Sequence, residues 1–263
     1  MRFAELAGFY DRLESTTKRL EMRSILVELL GHLAPPELGE VLYLSQGLLR
    51  PEYDAVELGM AESLATRAVA LATETGESDV ASRAKLSGDL GTVTAELLAS
   101  GRPGRSPSLT VSEVYATLLE IARAAGEGSQ EKKIGRLNEL LERSTPPEGK
   151  YLVRFVLGKL RLGVREMTIL DALAEKFGDG TKEARAQVEA AFNLSSDLGL
   201  VADALHADGL AGLGRIGMVV GRPIRPMLAE RSPTLEAVME RMEGTAALEY
   251  KYDGLRVQAH VPA

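Results

Sequence analysis

A lysine, an aspartate, a glycine and an arginine fall within six positions near the end of this 263-residue sequence, in the run Glu249-Tyr250-Lys251-Tyr252-Asp253-Gly254-Leu255-Arg256. An amine placed beside a fixed guanidinium suits phosphate chemistry. Arginine clamps phosphate oxygens through its planar fork, while lysine touches the group as a point charge or attacks it. A protonated lysine, with an ordinary pKa of about 10.4, is a poor nucleophile. A neighbouring cation and partial burial both favour the neutral amine, which can form a covalent intermediate. Glycine lets backbone approach a ligand closely. The same short pattern also fits a surface hairpin whose charges are merely solvated.

The elements that must position these residues are two strands, expected near 246–252 and 255–261, with Asp253-Gly254 as a two-residue turn. Alternation places Leu248, Tyr250 and Tyr252 on one face and Glu249 and Lys251 on the other. In that register Lys251 opposes Arg256, and Glu249, Lys251, Arg256 and Gln258 share the polar face. Two cations directly across a ladder repel each other, which makes better sense with an anion between them. Upstream, Ser232-Pro233 reads as the start of a helix to about Met242. The segment from Ile216 to Pro226 reads as a junction, its two prolines keeping it extended. A site that opens so late in the sequence is expected to be incomplete, as in the front part of a larger enzyme.

Nearly everything before residue 215 carries helical periodicity. Phe3, Leu6, Ala7, Tyr10 and Leu13 recur at three- and four-residue spacing and share one helix face. Pro35-Pro36 can open a helix. Thr110-Val111-Ser112-Glu113 and Thr145-Pro146-Pro147-Glu148 have the capping-box form and predict helices over 111–125 and 146–162, the second ended by Gly163. Further helices are expected near 165–177, 182–194 and 197–206. Ser100 to Ser108 reads as an exposed loop, and no repeat of fixed period is present. The fold class expected is mainly α: an all-helical domain over 1–215, then the start of an α/β (α+β) domain over 216–263.

Apolar residues make up 45% and charged residues 26%, as in ordinary globular proteins. There is no cysteine, so neither a disulfide framework nor a thiolate metal site. No apolar run approaches the roughly 18 residues of a membrane span, and a cytoplasmic protein is expected. His32, His206 and His260 form no ligand set. The net charge of −7 hides a segregation. From Arg123 to Arg165 ten basic residues face five acidic ones, a local +5 that leaves −12 for the rest. Such a stretch suggests an electrostatic footprint for a polyanion, or else a solvated helical face.

Lys251-Tyr252-Asp253-Gly254-Leu255-Arg256 resembles the K-x-D-G-x-R motif of covalent nucleotidyltransferases, namely DNA ligases, RNA ligases and mRNA-capping enzymes. Glu249 and the upstream Pro223-Ile224-Arg225-Pro226-Met227-Leu228-Ala229 narrow the resemblance to ATP-dependent DNA ligases of the archaeal and eukaryotic replicative type. Gly126-Glu127-Gly128-Ser129-Gln130-Glu131-Lys132-Lys133 and Gly158-Lys159-Leu160-Arg161-Leu162-Gly163 are similar to the same family and occur in the same order.

The resemblance implies that Lys251 takes AMP from ATP, with magnesium assisting, and that Glu249 and Arg256 contact the nucleotide. The AMP would pass to the 5′-phosphate of nicked duplex DNA, where the 3′-hydroxyl displaces it. No metal ligands are assigned, since the family's later motifs are missing here. The helical region would grip duplex DNA through Gly128, Ser129, Lys132, Lys133, Arg154, Lys159 and Arg161, with Arg154, Gly158 and Arg161 on one helix face. Such contacts position without reading sequence. The loop at 101–105 has no aromatic anchor, so a sliding-clamp partner gains little from it; a monomer is expected. The rival readings are a non-catalytic DNA-binding module and an RNA ligase or capping-type enzyme.

Overall fold

The computed structural model describes residues 1–101, 106–226, 231–250, 252–255 and 257–261. Thirteen α-helices run through the described residues, and none of these residues forms a strand. In chain order the helices are α1 (Phe3–Glu14), α2 (Arg19–Gly31), α3 (Pro35–Gln46), α4 (Glu62–Thr73), α5 (Glu77–Ser87), α6 (Leu90–Gly101) and α7 (Val111–Arg123). They continue with α8 (Ser129–Arg143), α9 (Pro146–Val156), α10 (Glu166–Gly178), α11 (Lys182–Ser195), α12 (Leu198–Gly212) and the short α13 (Leu235–Arg241).

The local signals act as the spacing requires. Phe3, Leu6, Ala7, Tyr10 and Leu13 are all buried, so α1 presents one apolar face to the core. Thr110 Oγ1 accepts from the Glu113 amide at 3.2 Å while Glu113 Oε2 accepts from the Thr110 amide at 2.9 Å, closing a capping box on α7. Glu148 closes the equivalent box on α9. Pro35 occupies the first turn of α3, where a missing N–H costs nothing. The bridge between Arg2 and Thr110 fastens the N-terminus beside α7.

Three boundaries differ from expectation. The helix that opens at Pro146 ends at Val156, because Gly158, not Gly163, supplies the left-handed residue after it at φ +65°. The Gly158 and Lys159 amides then close on the Phe155 and Arg154 carbonyls at 2.9 and 2.7 Å. Residues 157–163 are therefore a loop, and Arg154, Gly158 and Arg161 do not share a helix face. The helix expected to open at Ser232-Pro233 starts at Leu235 instead, because Thr234 Oγ1 accepts from the Ala237 amide at 3.2 Å and takes the capping role. Finally, α12 extends to Gly212 through a break at Asp208 and Gly209, the latter at φ +58° and ψ −148°, a backbone region open essentially to glycine alone.

The core is aliphatic, with Tyr10 and Tyr151 meeting edge to face at 5.3 Å in its centre. Helices α6 and α9 cross at close quarters because both lack side chains at the contact, Gly91 on one and Gly149 on the other. A Cβ on Gly91 would stand 2.7 Å from the Lys150 backbone carbonyl oxygen, so the helices would have to separate. Gly91→Ala is expected to lower stability by about 1–3 kcal/mol. Gly135→Ala in α8, where a Cβ meets nothing within 4 Å, should instead raise it by about 0.5–1 kcal/mol. Urea unfolding midpoints of the two variants check the contrast.

Candidate nucleic-acid interface

Side chains from the basic stretch bring several helix starts together. Lys159 Nζ lies 3.2 Å from Glu62 Oε2, at the first residue of α4. Arg161 Nη2 donates to the Gly88 carbonyl at 3.1 Å, and its Nη1 lies 3.7 Å from Asp89 Oδ2, just before α6. Lys133, in the second turn of α8, donates to the Leu58 and Gly59 carbonyls at 2.6 and 3.1 Å, just ahead of α4. The loop 157–163 thus lies against the opening turns of α4 and α6, with the start of α8 adjoining. Helix starts carry partial positive charge and unsatisfied amides, a natural seat for phosphate.

Within this cluster the expected residues divide in two. Gly128 precedes α8 and leaves it without a side-chain cap, while Ser129, its first residue, has its amide taken by the Gly126 carbonyl at 3.2 Å. Lys132 is exposed on the first turn. Lys159 and Arg161 are each about half exposed. The Lys159–Glu62 pair, exposed on both sides, is the kind that contributes little, so the ammonium can exchange to a phosphate at small cost. Arg161 holds φ +59°, an uncommon backbone for arginine, and this turns the loop tightly over α6.

Lys133 and Arg154 differ. Lys133 is only 7% exposed, and its ammonium ties α8 to the loop before α4. The Arg154 side chain is 4% exposed. Its Nε donates to Asp89 Oδ2 at 2.9 Å, its Nη2 also pairs with Asp89, and its Nη1 lies 2.8 Å from Glu14 Oε2. Both side chains are turned inward, so in this fold their charge holds the helices and is not presented to a duplex. Charge counting along the sequence cannot separate these two from Lys159 and Arg161, because their partners, at Leu58, Gly59, Asp89 and Glu14, lie far off along the chain.

Asp89 and Glu14 complete the arrangement, and sequence reading assigned neither to the interface. Asp89 Oδ1 accepts from the Gly91 amide at 2.9 Å and caps α6, while Oδ2 holds Arg154. The run Gly88-Asp89-Leu90-Gly91 has the form of a helix start, but nothing in it marks the arginine that Asp89 holds. Burial pushes the Asp89 carboxyl up, but the Arg154 hydrogen bonds outweigh this and hold it below its ordinary range. Burial likewise acts against the Glu14 carboxylate, yet hydrogen bonds from Arg154, Lys150 and Tyr151 bring it down to about 2. Lys150 and Tyr151 extend the network to Asp11 at 2.9 and 2.7 Å, so α1, α6 and α9 are linked through one set of charges.

At the other end of the sequence, Glu249 is exposed, whereas Lys251 and Arg256 lie outside the described residues. The hairpin expected over 246–261 is not formed by the residues described there; no strand pairing is present among them, and Leu248, Tyr250, Tyr252 and Val257 are at least 80% exposed. An isolated two-stranded hairpin is marginal in water, and these apolar side chains have no packed sheet to enter. Gln258 and His260 hydrogen-bond to the junction, at Ile224 and Gly221. His32 packs against Phe9 edge to face. Among the described residues no cluster of three or more His, Cys, Asp or Glu has the geometry to hold a metal ion. No helix there is long and apolar enough to cross a membrane. Part of the loop at 101–105, discussed for a sliding clamp, lies outside the described residues.

Residues 2–174 match the family model for the DNA ligase N terminus, and residues 226–263 match that for the ATP dependent DNA ligase domain. DNA ligase 2 of Thermofilum pendens is 45% identical over 267 aligned residues, covering 98% of this chain and 44% of that protein. A probable DNA ligase of Aquifex aeolicus is 43% identical over 99% of the chain and 44% of its own length. The DNA ligase of Cenarchaeum symbiosum is 41% identical with the same coverage. The chain spans under half the length of these relatives. Its helical architecture and the two matches in succession place the chain in the ATP-dependent DNA ligase family.

Proposed function

We propose that this chain contributes the duplex-gripping helical domain and the opening of the adenylation domain to an enzyme that seals nicks in DNA with ATP. The observation that carries this reading is the succession, in one chain, of the N-terminal ligase match and the ATP-dependent ligase match containing Lys251. We set the boundary between the two domains near 215, a reading supported by the 3₁₀ turn at Leu213–Arg215 that follows α12. The enzyme acts in the cytoplasm, in replication, repair and recombination.

In the reaction, the Lys251 amine loses its proton and attacks the α-phosphorus of ATP, forming a P–N bond as pyrophosphate leaves. The AMP moves to the 5′-phosphate of the nick and frees the lysine. The 3′-hydroxyl then attacks that phosphate and expels AMP. Glu249 contacts the adenine amino group, and Arg256 the ribose and phosphate region. Magnesium neutralises phosphate charge when bound.

Lys132, Lys159 and Arg161, with the start of α8 at Gly128 and Ser129, contact the phosphate backbone. Lys133 and Arg154 hold the helix starts that carry these contacts. Neutralising Lys132, Lys159 and Arg161 together to glutamine should weaken duplex binding by residues 1–263 similarly across sequences. It should also reduce the slope of log affinity against log salt by up to about 2.7, at about 0.9 per phosphate contact. An unchanged slope would mean that these three cations are merely solvated. The family's RNA ligase or capping-type alternative predicts no preference for a nicked duplex over single-stranded RNA.

A further inference from the structure

The junction at residues 223–225 is held from both sides. On its inner side the Pro223 carbonyl accepts from Ser196 Oγ at 2.7 Å, and the Arg225 amide donates to the Asn193 carbonyl at 2.8 Å. The Arg225 guanidinium forms a two-pronged pair with Glu166 at 2.8 and 2.6 Å and lies 4.6 Å from the ring centre of the buried Phe192. Glu166 opens α10, while Phe192 and Asn193 belong to α11. The residue between them faces the other way, as alternation along extended backbone requires. The Ile224 amide donates to Gln258 Oε1 at 2.9 Å, and Gln258 Nε2 donates back to the Ile224 carbonyl. The Gly221 amide donates to His260 Nδ1 at 3.2 Å.

Gln258 and His260 directly follow the stretch from Lys251 to Arg256. A bidentate arginine–carboxylate pair fixes direction as well as distance, and a neighbouring aromatic face adds a second restraint. Glu166 lies within the matched ligase N-terminal region, and Arg225 immediately precedes the matched ATP-dependent domain. From these contacts we infer that residues 223–225 form a strap that sets the Lys251 segment in register with the helical DNA-gripping domain, with Arg225 as a positioning residue for nick sealing. This rests on the ligase reading above. It also moves the working seam between the two domains from about 215 to just after Arg225, since 223–225 stay docked on α10 and α11.

The strap is tested in two settings. In residues 1–263, NMR-detected hydrogen exchange follows the amides of Gly221, Ile224 and Arg225. Arg225→Ala should speed exchange at all three by about tenfold, the order expected for losing a partly buried charge-assisted pair. Acceleration at Arg225 alone would overturn the relay to Gln258, whatever the activity of the protein. In the complete gene product, Arg225→Ala should load AMP from labelled ATP as the wild type does. The pre-loaded variant should nevertheless seal a saturating nicked duplex about tenfold more slowly in a single turnover. Arg225→Lys, which keeps charge but loses the fork, should show most of that loss. The exchanged pair Glu166→Arg with Arg225→Glu should recover most of it, tying the loss to this ion pair. Sealing by Arg225→Ala within twofold of wild type, or a loss of AMP loading equal to the loss of sealing, would contradict the strap. A wild-type protein that takes no AMP from ATP would instead sink the ligase reading, and the exchange experiment would still decide on the strap.

Discussion

Replacing Arg154 with methionine is expected to cost about 3–5 kcal/mol of stability at neutral pH, the magnitude for breaking a buried ion pair from one side. Methionine keeps an unbranched stem beside Gly91 and removes the charge that Asp89 and Glu14 were folded around. Both carboxylates titrate lower in the folded chain than is ordinary for them. Their contribution is therefore fully present above the unfolded-state pKa, near 4.5 for Glu14, and is lost as pH falls through the folded value of about 2. The deficit of Arg154→Met should accordingly be largest at neutral pH and shrink on acidification across that window. Urea unfolding at several pH values measures it. A deficit that does not change with pH would assign the loss to packing alone, with no contribution from the charges.

The same residue shows what was legible in the sequence. Signals that act within one helical turn read correctly: the apolar face of α1, the capping boxes at Thr110 and Thr145, and Pro35 at the start of α3. Each needs only neighbours within four or so residues. The end of α9 was misplaced because two glycines, Gly158 and Gly163, both qualify as terminators, and only the packed structure selects the first. Arg154 and Lys133 were grouped with the surface cations because a charge carries no mark of its partner. Those partners lie 65 residues away at Asp89 and 75 at Leu58. The hairpin over 246–261 was read from alternation and the Asp253-Gly254 turn, but strands also need sheet neighbours, and none is supplied by the described residues. The strap was half legible: its prolines marked a junction, while the Glu166 that receives Arg225 lies 59 residues earlier.

The largest effect on activity is expected at Lys251. Lys251→Ala in the complete gene product removes the amine proposed to attack, and Lys251→Arg keeps the charge but substitutes a guanidinium that is not deprotonated under working conditions. Both should abolish transfer of AMP to the protein, because each removes the amine proposed to form the P–N bond. Duplex binding should be unaffected in both, since the DNA contacts proposed for Lys132, Lys159 and Arg161 lie in the helical part of the chain. A Glu249→Ala variant should load AMP more slowly without losing it altogether, as expected for a contact to the base and not to the reacting phosphorus.

The most direct measurement is the location of that adduct. The complete gene product is incubated with ATP and magnesium, digested, and its peptides mapped by mass spectrometry under conditions that preserve a P–N bond. A single AMP adduct on Lys251 is expected, discharged when nicked duplex DNA is added. An adduct on another residue, or AMP on Lys251 that nicked DNA fails to discharge, would contradict it.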